Sequence, residues 1–122
     1  MRKILAFLLA ACLLVSAAPA LALNNNDAAL ADNWYEIFVY SFADGNGDRI
    51  GDFVGLKEKL PYLQSLHVDG VWLMPIHPSP SYHKYDVTDY ESIDPAYGTV
   101  EDFESLVSAC GERGIRVMLD LV

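Results

Sequence analysis

Basic residues are scarce in this chain, and the shortage excludes a class of partner. Against 17 Asp and Glu stand 8 Lys and Arg, a net charge of −9 at pH 7. Phosphate binding needs clustered cations, so no nucleic acid is expected as a partner. Cysteine is nearly absent, with only Cys12 and Cys110. There is no low-complexity linker and no internal repeat of motifs. The longest apolar run, Ile4 to Val15, falls short of the roughly 20 residues that cross a bilayer.

That run has another reading. Arg2 and Lys3 precede it, and Ala20-Leu21-Ala22 follows with small residues in an A-x-A arrangement. The three features together are those of a secretory signal peptide cut after Ala22, which makes the product secreted. A rival is lipoprotein anchoring at Cys12, because Leu9-Ala10-Ala11-Cys12 resembles a lipobox. That processing would leave a very short apolar region and strand Leu13 to Leu23 on the product. Removing residues 1–22 takes Arg2 and Lys3 away and deepens the net charge from −9 to −11. About 100 residues remain, enough for a marginal core and no membrane span. Cys110 is then alone, so no internal disulfide forms, and the fold rests on packing with a metal as the available supplement. Residues 23–33 read as a polar lead-in to a folded part at 34–122.

The most informative stretch is Asp44-Gly45-Asn46-Gly47-Asp48-Arg49-Ile50-Gly51-Asp52. Oxygen-bearing side chains stand at Asp44, Asn46, Asp48 and Asp52, and the gap, Ile50, still offers its backbone carbonyl. This is the ligand rhythm of a calcium loop, with positions 1, 3 and 5, a carbonyl at 7, and 9. Gly45, Gly47 and Gly51 are expected to permit the winding, because glycine tolerates positive φ. The alternative is a solvated acidic turn, since Asp, Asn and Gly are ordinary turn residues. Strict alternation of oxygens favours Ca2+. The loop is not a full EF-hand: Arg49 stands at the invariant glycine and Gly55 at the bidentate Glu, so another scaffold completes the coordination. His77 and His83 have no common zinc spacing, which leaves metal to the aspartates.

Trp34 to Phe42 is rich in aromatic and β-branched residues and predicts a strand. Leu56, Leu60, Leu63 and Leu66 recur at helical spacing. Pro61 fits only a first turn, so this helix is predicted to start near Lys57 to Lys59. It should end at His67, a residue type that accepts positive φ. Val68 to Ile76 reads as a second strand, its apolar centre Val71-Trp72-Leu73-Met74 buried on both faces. A long loop, His77 to Gly98, follows. Thr99-Val100-Glu101-Asp102 is a capping box, and Phe103, Leu106, Val107 and Cys110 form an apolar stripe behind it. Gly114 is a natural stop, and Ile115 to Val122 reads as a third strand. The order β-α-β-α-β predicts parallel strands with right-handed crossovers. Trp72 and Leu119 would have few partners, and the last strand would be an open edge. The fold class is therefore α/β, the front part of a larger domain truncated after its third strand.

Three stretches in order resemble glycoside hydrolase family 13, the α-amylase family. They are the aspartate-rich loop; Tyr82-His83-Lys84-Tyr85-Asp86-Val87-Thr88-Asp89-Tyr90 with Ile93-Asp94-Pro95 and Tyr97-Gly98-Thr99; and Val117-Met118-Leu119-Asp120-Leu121-Val122. The last looks like the opening of the family's Asp-x-Val-x-Asn-His segment. The resemblance implies a (β/α)8 TIM barrel with its site on the C-terminal face. It implies calcium ligation by Asp44, Asn46, Asp48, the Ile50 carbonyl and Asp52. It implies that Tyr85 stacks on a glucose ring, that His83 and Asp86 hydrogen-bond its hydroxyls, and that Asp120 is a supporting residue. On local sequence alone Tyr85 and Tyr90 are equally well read as packing residues, and Asp86 and Asp89 as solvated.

The activity so implied is α-glucan hydrolysis or transfer with retention, on starch or maltodextrin, with α-1,4 and α-1,6 linkages both open. Retaining glycosidases need two carboxyl groups about 5–5.5 Å apart. The family draws its reacting carboxylates from later strands, so this chain is expected to hold part of the sugar subsite and to be inactive alone. The rival from another class is a secreted calcium-binding or dockerin-like binding module. A dockerin needs two copies of the loop, each with a helix, and only one copy occurs here.

Overall fold

The computed structural model describes residues 32–122. The expected signal peptide, its rival lipobox reading at Cys12 and most of the expected polar lead-in lie outside the described residues. Three strands, β1 (Trp34–Ile37), β2 (Gly70–Leu73) and β3 (Arg116–Leu119), form one parallel sheet in the order β1-β2-β3. Parallel neighbours need a crossover, and both crossovers carry helix. The first holds a helical turn, α1 (Val39–Phe42), then α2 (Phe53–Glu58) and α3 (Leu60–Ser65); the second holds α4 (Val100–Gly111). This is the predicted β-α-β-α-β order and pairing.

Register is pinned by one row of residues. Trp34, Gly70 and Arg116 stand side by side across the sheet. A Cβ on Gly70 would come within 2.4 Å of the Trp34 ring. The missing side chain lets the indole lie across β2, where the Arg116 guanidinium covers it at 5.0 Å. A cation over an aromatic face contributes about 0.5–1 kcal/mol where exposed.

The first strand ends earlier than its composition predicts. Beyond Ile37 the chain coils into α1, with the Ser41 N–H donating to the Phe38 carbonyl at 3.1 Å. Tertiary contact overrides β propensity here. The returning limb of the acidic loop needs a close backbone partner, and the Gly51 N–H donates to the Tyr40 carbonyl at 2.7 Å. Gly51 lies so close to Val39 that a Cβ would fall 1.9 Å from the Val39 carbonyl oxygen.

The next helix starts four residues before the predicted site. Asp52 caps it, accepting from the Gly55 N–H at 2.7 Å, a signal hidden among the other loop aspartates. The helix breaks at Lys59, and Pro61 lies in the first turn of α3, where its absent N–H costs little. His67 takes φ +55, as predicted. In β2 the expectation of two buried faces fails: Val71 and Leu73 are buried, but Trp72 is 37% exposed. Only the helix-covered face has partners among the described residues. Met118 and Leu119 of β3 are likewise exposed.

α4 opens on the predicted capping box. The Asp102 N–H donates to Thr99 Oγ1 at 3.2 Å, and the Thr99 N–H to Asp102 Oδ2 at 2.9 Å. Such a cap contributes about 1 kcal/mol. Its buried residues are Leu106, Ala109 and Cys110; Ala109 replaces the predicted Val107, which is exposed. Gly114 turns the chain at φ +70. Helices and sheet enclose one core that includes Ile37, Leu56, Leu60, Leu63, Leu73 and Leu106. Cys110 is free within it, and burial pushes its thiol up to about 11.

Candidate functional site

Parallel strands send their C-terminal ends to one edge, and all three sequence-predicted sites follow strand ends. The acidic loop follows β1 and α1. The long loop of residues 74–99 follows β2. Asp120 follows β3 by one residue, its N–H held on the Leu73 carbonyl at 2.8 Å.

The acidic loop winds on its own side chains. Asp44 Oδ1 accepts from the Asn46 and Gly47 N–H groups at 3.1 and 2.7 Å, and its Oδ2 from Arg49 at 2.8 Å. Asn46 Oδ1 accepts from Asp48 at 2.9 Å, and Asp48 Oδ1 from Ile50 at 2.8 Å. These N–H groups, Gly47 first, hold the Asp44 carboxyl below the ordinary carboxylate range. Asp52 is 4% exposed and joins the loop's ends, accepting from Gly55 on one oxygen and from Gly45 at 3.1 Å on the other.

The glycines work differently from the expectation. Only Gly47 has positive φ, at +90. Gly51 is needed for close approach, as is Gly45, whose Cβ would fall 2.5 Å from the Gly55 nitrogen. The second left-handed residue is Arg49, at φ +76, the place where an EF-hand has its invariant glycine. The turn geometry of that position is kept without the residue type. Among the described residues no three or more His, Cys, Asp or Glu side chains converge as a metal cluster. The donor set is nonetheless of hard oxygens: Asp44 Oδ2, Asn46 Oδ1 and Asp48 Oδ1 each accept one N–H and keep a further lone pair, which is the chemistry calcium takes.

The long loop brings Tyr85, His83, Asp86 and Asp120 together. The Tyr85 hydroxyl donates to Asp120 Oδ2 at 2.6 Å, joining the β2 loop to the end of β3. This bond favours the neutral phenol, and with desolvation and the Asp120 and Glu36 charges it pushes the Tyr85 hydroxyl up to about 12. The His83 ring lies 6.2 Å from the Tyr85 ring at 31°. The Tyr85 N–H donates to His83 Nδ1 at 3.1 Å, which makes Nδ1 an acceptor and leaves Nε2–H for another partner. Asp86 Oδ1 accepts from the hydroxyls of Ser81 and Ser79, which hold its carboxyl below the ordinary range. It stands 3.9 Å from His83 Nδ1.

Several participants were missed from sequence. Ser79 and Ser81 look like loop filler until they are seen on Asp86. Glu36 reads only as a strand residue. Lys84 lies between two predicted site residues and is buried, 7% exposed, against Asp94 at 2.6 Å. No local pattern distinguishes a buried lysine from a solvated one. Tyr90 also crosses to the β3 end, its hydroxyl donating to the Val122 carbonyl at 2.7 Å.

Known proteins resemble this chain in sequence and fold. A sequence model of the α-amylase catalytic domain matches residues 36–122. The chain is 57% identical over 89 residues to Alpha-amylase 3 of Dictyoglomus thermophilum, covering 73% of this chain and 18% of that protein. It is 51% identical to a 4-alpha-glucanotransferase of Thermotoga neapolitana, covering 71% of this chain and 20% of that protein. The crystal structure of an alpha-amylase from H. orenii superposes with a TM-score of 0.71 at 56% identity, over 73% of this chain and 20% of that one. The chain thus spans a fifth or less of the length of these relatives. The three-stranded sheet and its helices are a portion of a TIM barrel.

The Tyr85–Asp120 bond has a measurable consequence. A folded-state phenol raised above its ordinary value of 10 gains stability that is complete below pH 10 and lost as pH climbs through about 12. In the ultraviolet difference between the protein and its Tyr85→Phe variant, phenolate should appear near pH 12, and Asp120→Ala should bring it back toward 10. An unshifted titration would show that the bond does not persist in solution.

Proposed function

The chain belongs to the α-amylase family of glycoside hydrolases, and on that premise we propose that residues 34–122 form the part of an α-glucan-active catalytic barrel that cradles one sugar ring. The observation that carries this reading is the Tyr85–Asp120 hydrogen bond, which fixes an aromatic ring at the C-terminal edge of the sheet beside His83. A sugar offers an apolar C–H face and a rim of hydroxyls. The Tyr85 ring suits the face; the free nitrogen of His83 and the Asp86 carboxylate suit the rim. The relatives named above include an amylase and a glucanotransferase, which supports an α-glucan ligand for the whole protein. Hydrolysis and transfer share such a cradle and differ in what accepts the glycosyl group. Binding contacts without the reacting carboxylates give affinity but not turnover, so the residues described here supply the former. The dockerin-type alternative is not favoured, because the match to a catalytic domain runs through a parallel sheet that no such module contains.

The acidic loop is assigned to calcium on the same footing. Asp44, Asn46, Asp48, the Ile50 carbonyl and Asp52 would hold the ion, which supplies charge neutralisation to a loop of exposed carboxylates. Asp52 would link that site to the start of α2, whose N-terminal turn it already caps. The product is further proposed to be exported, with its mature end at Leu23.

Three outcomes test these statements on the full-length gene product. Release of reducing sugar from starch or maltodextrin should occur, and Tyr85→Ala should lower kcat/KM by about tenfold or more, the scale of a lost aromatic contact. Undiminished turnover in that variant would remove Tyr85 from the sugar site. Calorimetric titration with calcium should show a site whose affinity falls by about tenfold or more in Asp48→Ala; equal affinities would refute the ligand assignment. N-terminal sequencing of exported protein should begin at Leu23, whereas a lipidated Cys12 would establish the anchored form.

A further inference from the structure

Among the described residues Lys84 is the only buried cation. It lies between His83 and Tyr85, whose side chains are exposed at the site, while its own points the other way. Lys84 Nζ donates to Asp94 Oδ2 at 2.6 Å and stands 5.5 Å from the centre of the Tyr97 ring. Its backbone is left-handed, φ +69, an unusual state for a residue with a long side chain. Such a conformation persists only where the surroundings over-determine it.

The surroundings do so here. The Asp94 N–H is held on the Ile76 carbonyl at 2.9 Å, three residues beyond β2. Asp94 Oδ1 accepts from the Ala96 N–H at 2.9 Å, and the Asp94 carbonyl from the Tyr97 N–H at 2.8 Å. The Tyr97 carbonyl in turn accepts from the Phe53 N–H at 3.0 Å, at the start of α2. Lys84 therefore reaches from the tip of the long loop into its rigid base. The ion pair is one that cannot lose a member cheaply, because the survivor would be a buried, uncompensated charge.

We propose that Lys84, through its buried ion pair with Asp94, is a positioning residue that sets the turn presenting His83 and Tyr85 and so holds the Tyr85 hydroxyl on Asp120. The effect on turnover rests on the sugar-site reading given above; the effect on Tyr85 does not. A left-handed residue reverses the direction of the side chains before and after it. With Lys84 anchored inward, its two exposed neighbours lie together on the outer side, their rings 6.2 Å apart and tilted by 31°. Without the anchor the turn keeps only the long Lys84 N–H bond to the Ser81 carbonyl at 3.3 Å and the Tyr85 N–H bond to His83 Nδ1, and Tyr85 would swing away from Asp120.

The test uses the full-length gene product with Lys84→Met, Lys84→Arg, Asp94→Asn and the Lys84→Met/Asp94→Asn pair, with folding checked by circular dichroism. Lys84→Met and Asp94→Asn should each bring the Tyr85 phenol titration down toward its ordinary value, read as the difference from the matching Tyr85→Phe protein. Each should lower kcat/KM on maltodextrin by up to a hundredfold, the scale of a misplaced contact group. Lys84→Arg, which keeps the charge, should recover part of both. The double variant should be no worse than either single one, since the two residues act as a unit. A folded Lys84→Met or Asp94→Asn protein with unchanged Tyr85 titration would overturn the proposal. If Lys84→Met does not fold, Asp94→Asn and Lys84→Arg decide it by the same titration. If the titration moves while Tyr85→Ala leaves turnover intact, the positioning stands and the sugar-site reading fails.

Discussion

Parallel pairing is the constraint on which the other features depend. Strands that all run one way cannot be joined by hairpins, so each return trip is made by helix on one face of the sheet. The same directionality collects every strand's outgoing loop on one edge. The acidic loop, the Tyr85 loop and Asp120 come from segments far apart in sequence, and no local signal brings them together. Three strand ends in register do. The Trp34–Gly70–Arg116 row matters for this reason: a slip of one residue would turn Asp120 away from Leu73 and from Tyr85.

The two loops are also joined beneath the surface. Asp52 closes the acidic loop on Gly45 and starts α2 on Gly55. The next residue, Phe53, is fully buried, with its ring 6.1 Å from Tyr97 and 5.3 Å from Phe103. Tyr97 lies under Lys84, and its hydroxyl has no hydrogen-bond partner among the described residues. Burial pushes that hydroxyl's ionisation far above its ordinary value, so the ring serves as a neutral, rigid packing surface. One aromatic cluster thus supports the capped start of α2, the capped start of α4 and the base of the long loop.

What was legible in the sequence followed from rules that act over a few residues. The capping box at Thr99, the stop at Gly114, the positive φ at His67 and the place of Pro61 in a first turn are all local chemistry. The order of elements and the parallel sheet follow from their sum. Misreadings came where distant contacts decide. Val39 to Phe42 has strand composition, yet it coils because Gly51 must reach the Tyr40 carbonyl. Asp52 was read as a ligand, and its simultaneous work as a helix cap was hidden by the alternation around it. Gly45 and Gly51 do not have positive φ; what excludes a side chain there is close approach of Gly55 and Val39, residues outside the acidic loop. In the site, Tyr85 and Asp86 are singled out by the family resemblance alone, since their local sequence reads equally well as packing and solvated residues. Lys84 is not, because burial belongs to the fold and leaves no mark on the residue.

On the proposed sugar-site reading, Asp120 is a strand-end carboxylate whose visible work is to hold Tyr85. Its Oδ2 is engaged by the Tyr85 hydroxyl at 2.6 Å, and its N–H is tied to the sheet. It is well placed to keep the phenol neutral. A phenolate would project charge onto the face that meets the C–H groups of a sugar and would need water around it, which stacking excludes. By accepting a short hydrogen bond from the phenol, Asp120 orients the ring and keeps it neutral below about pH 12. Its own charge is met at the edge of the sheet by that donor instead of by substrate. The pair therefore divides the labour: the carboxylate anchors the ring, and on the proposed reading the ring meets the sugar.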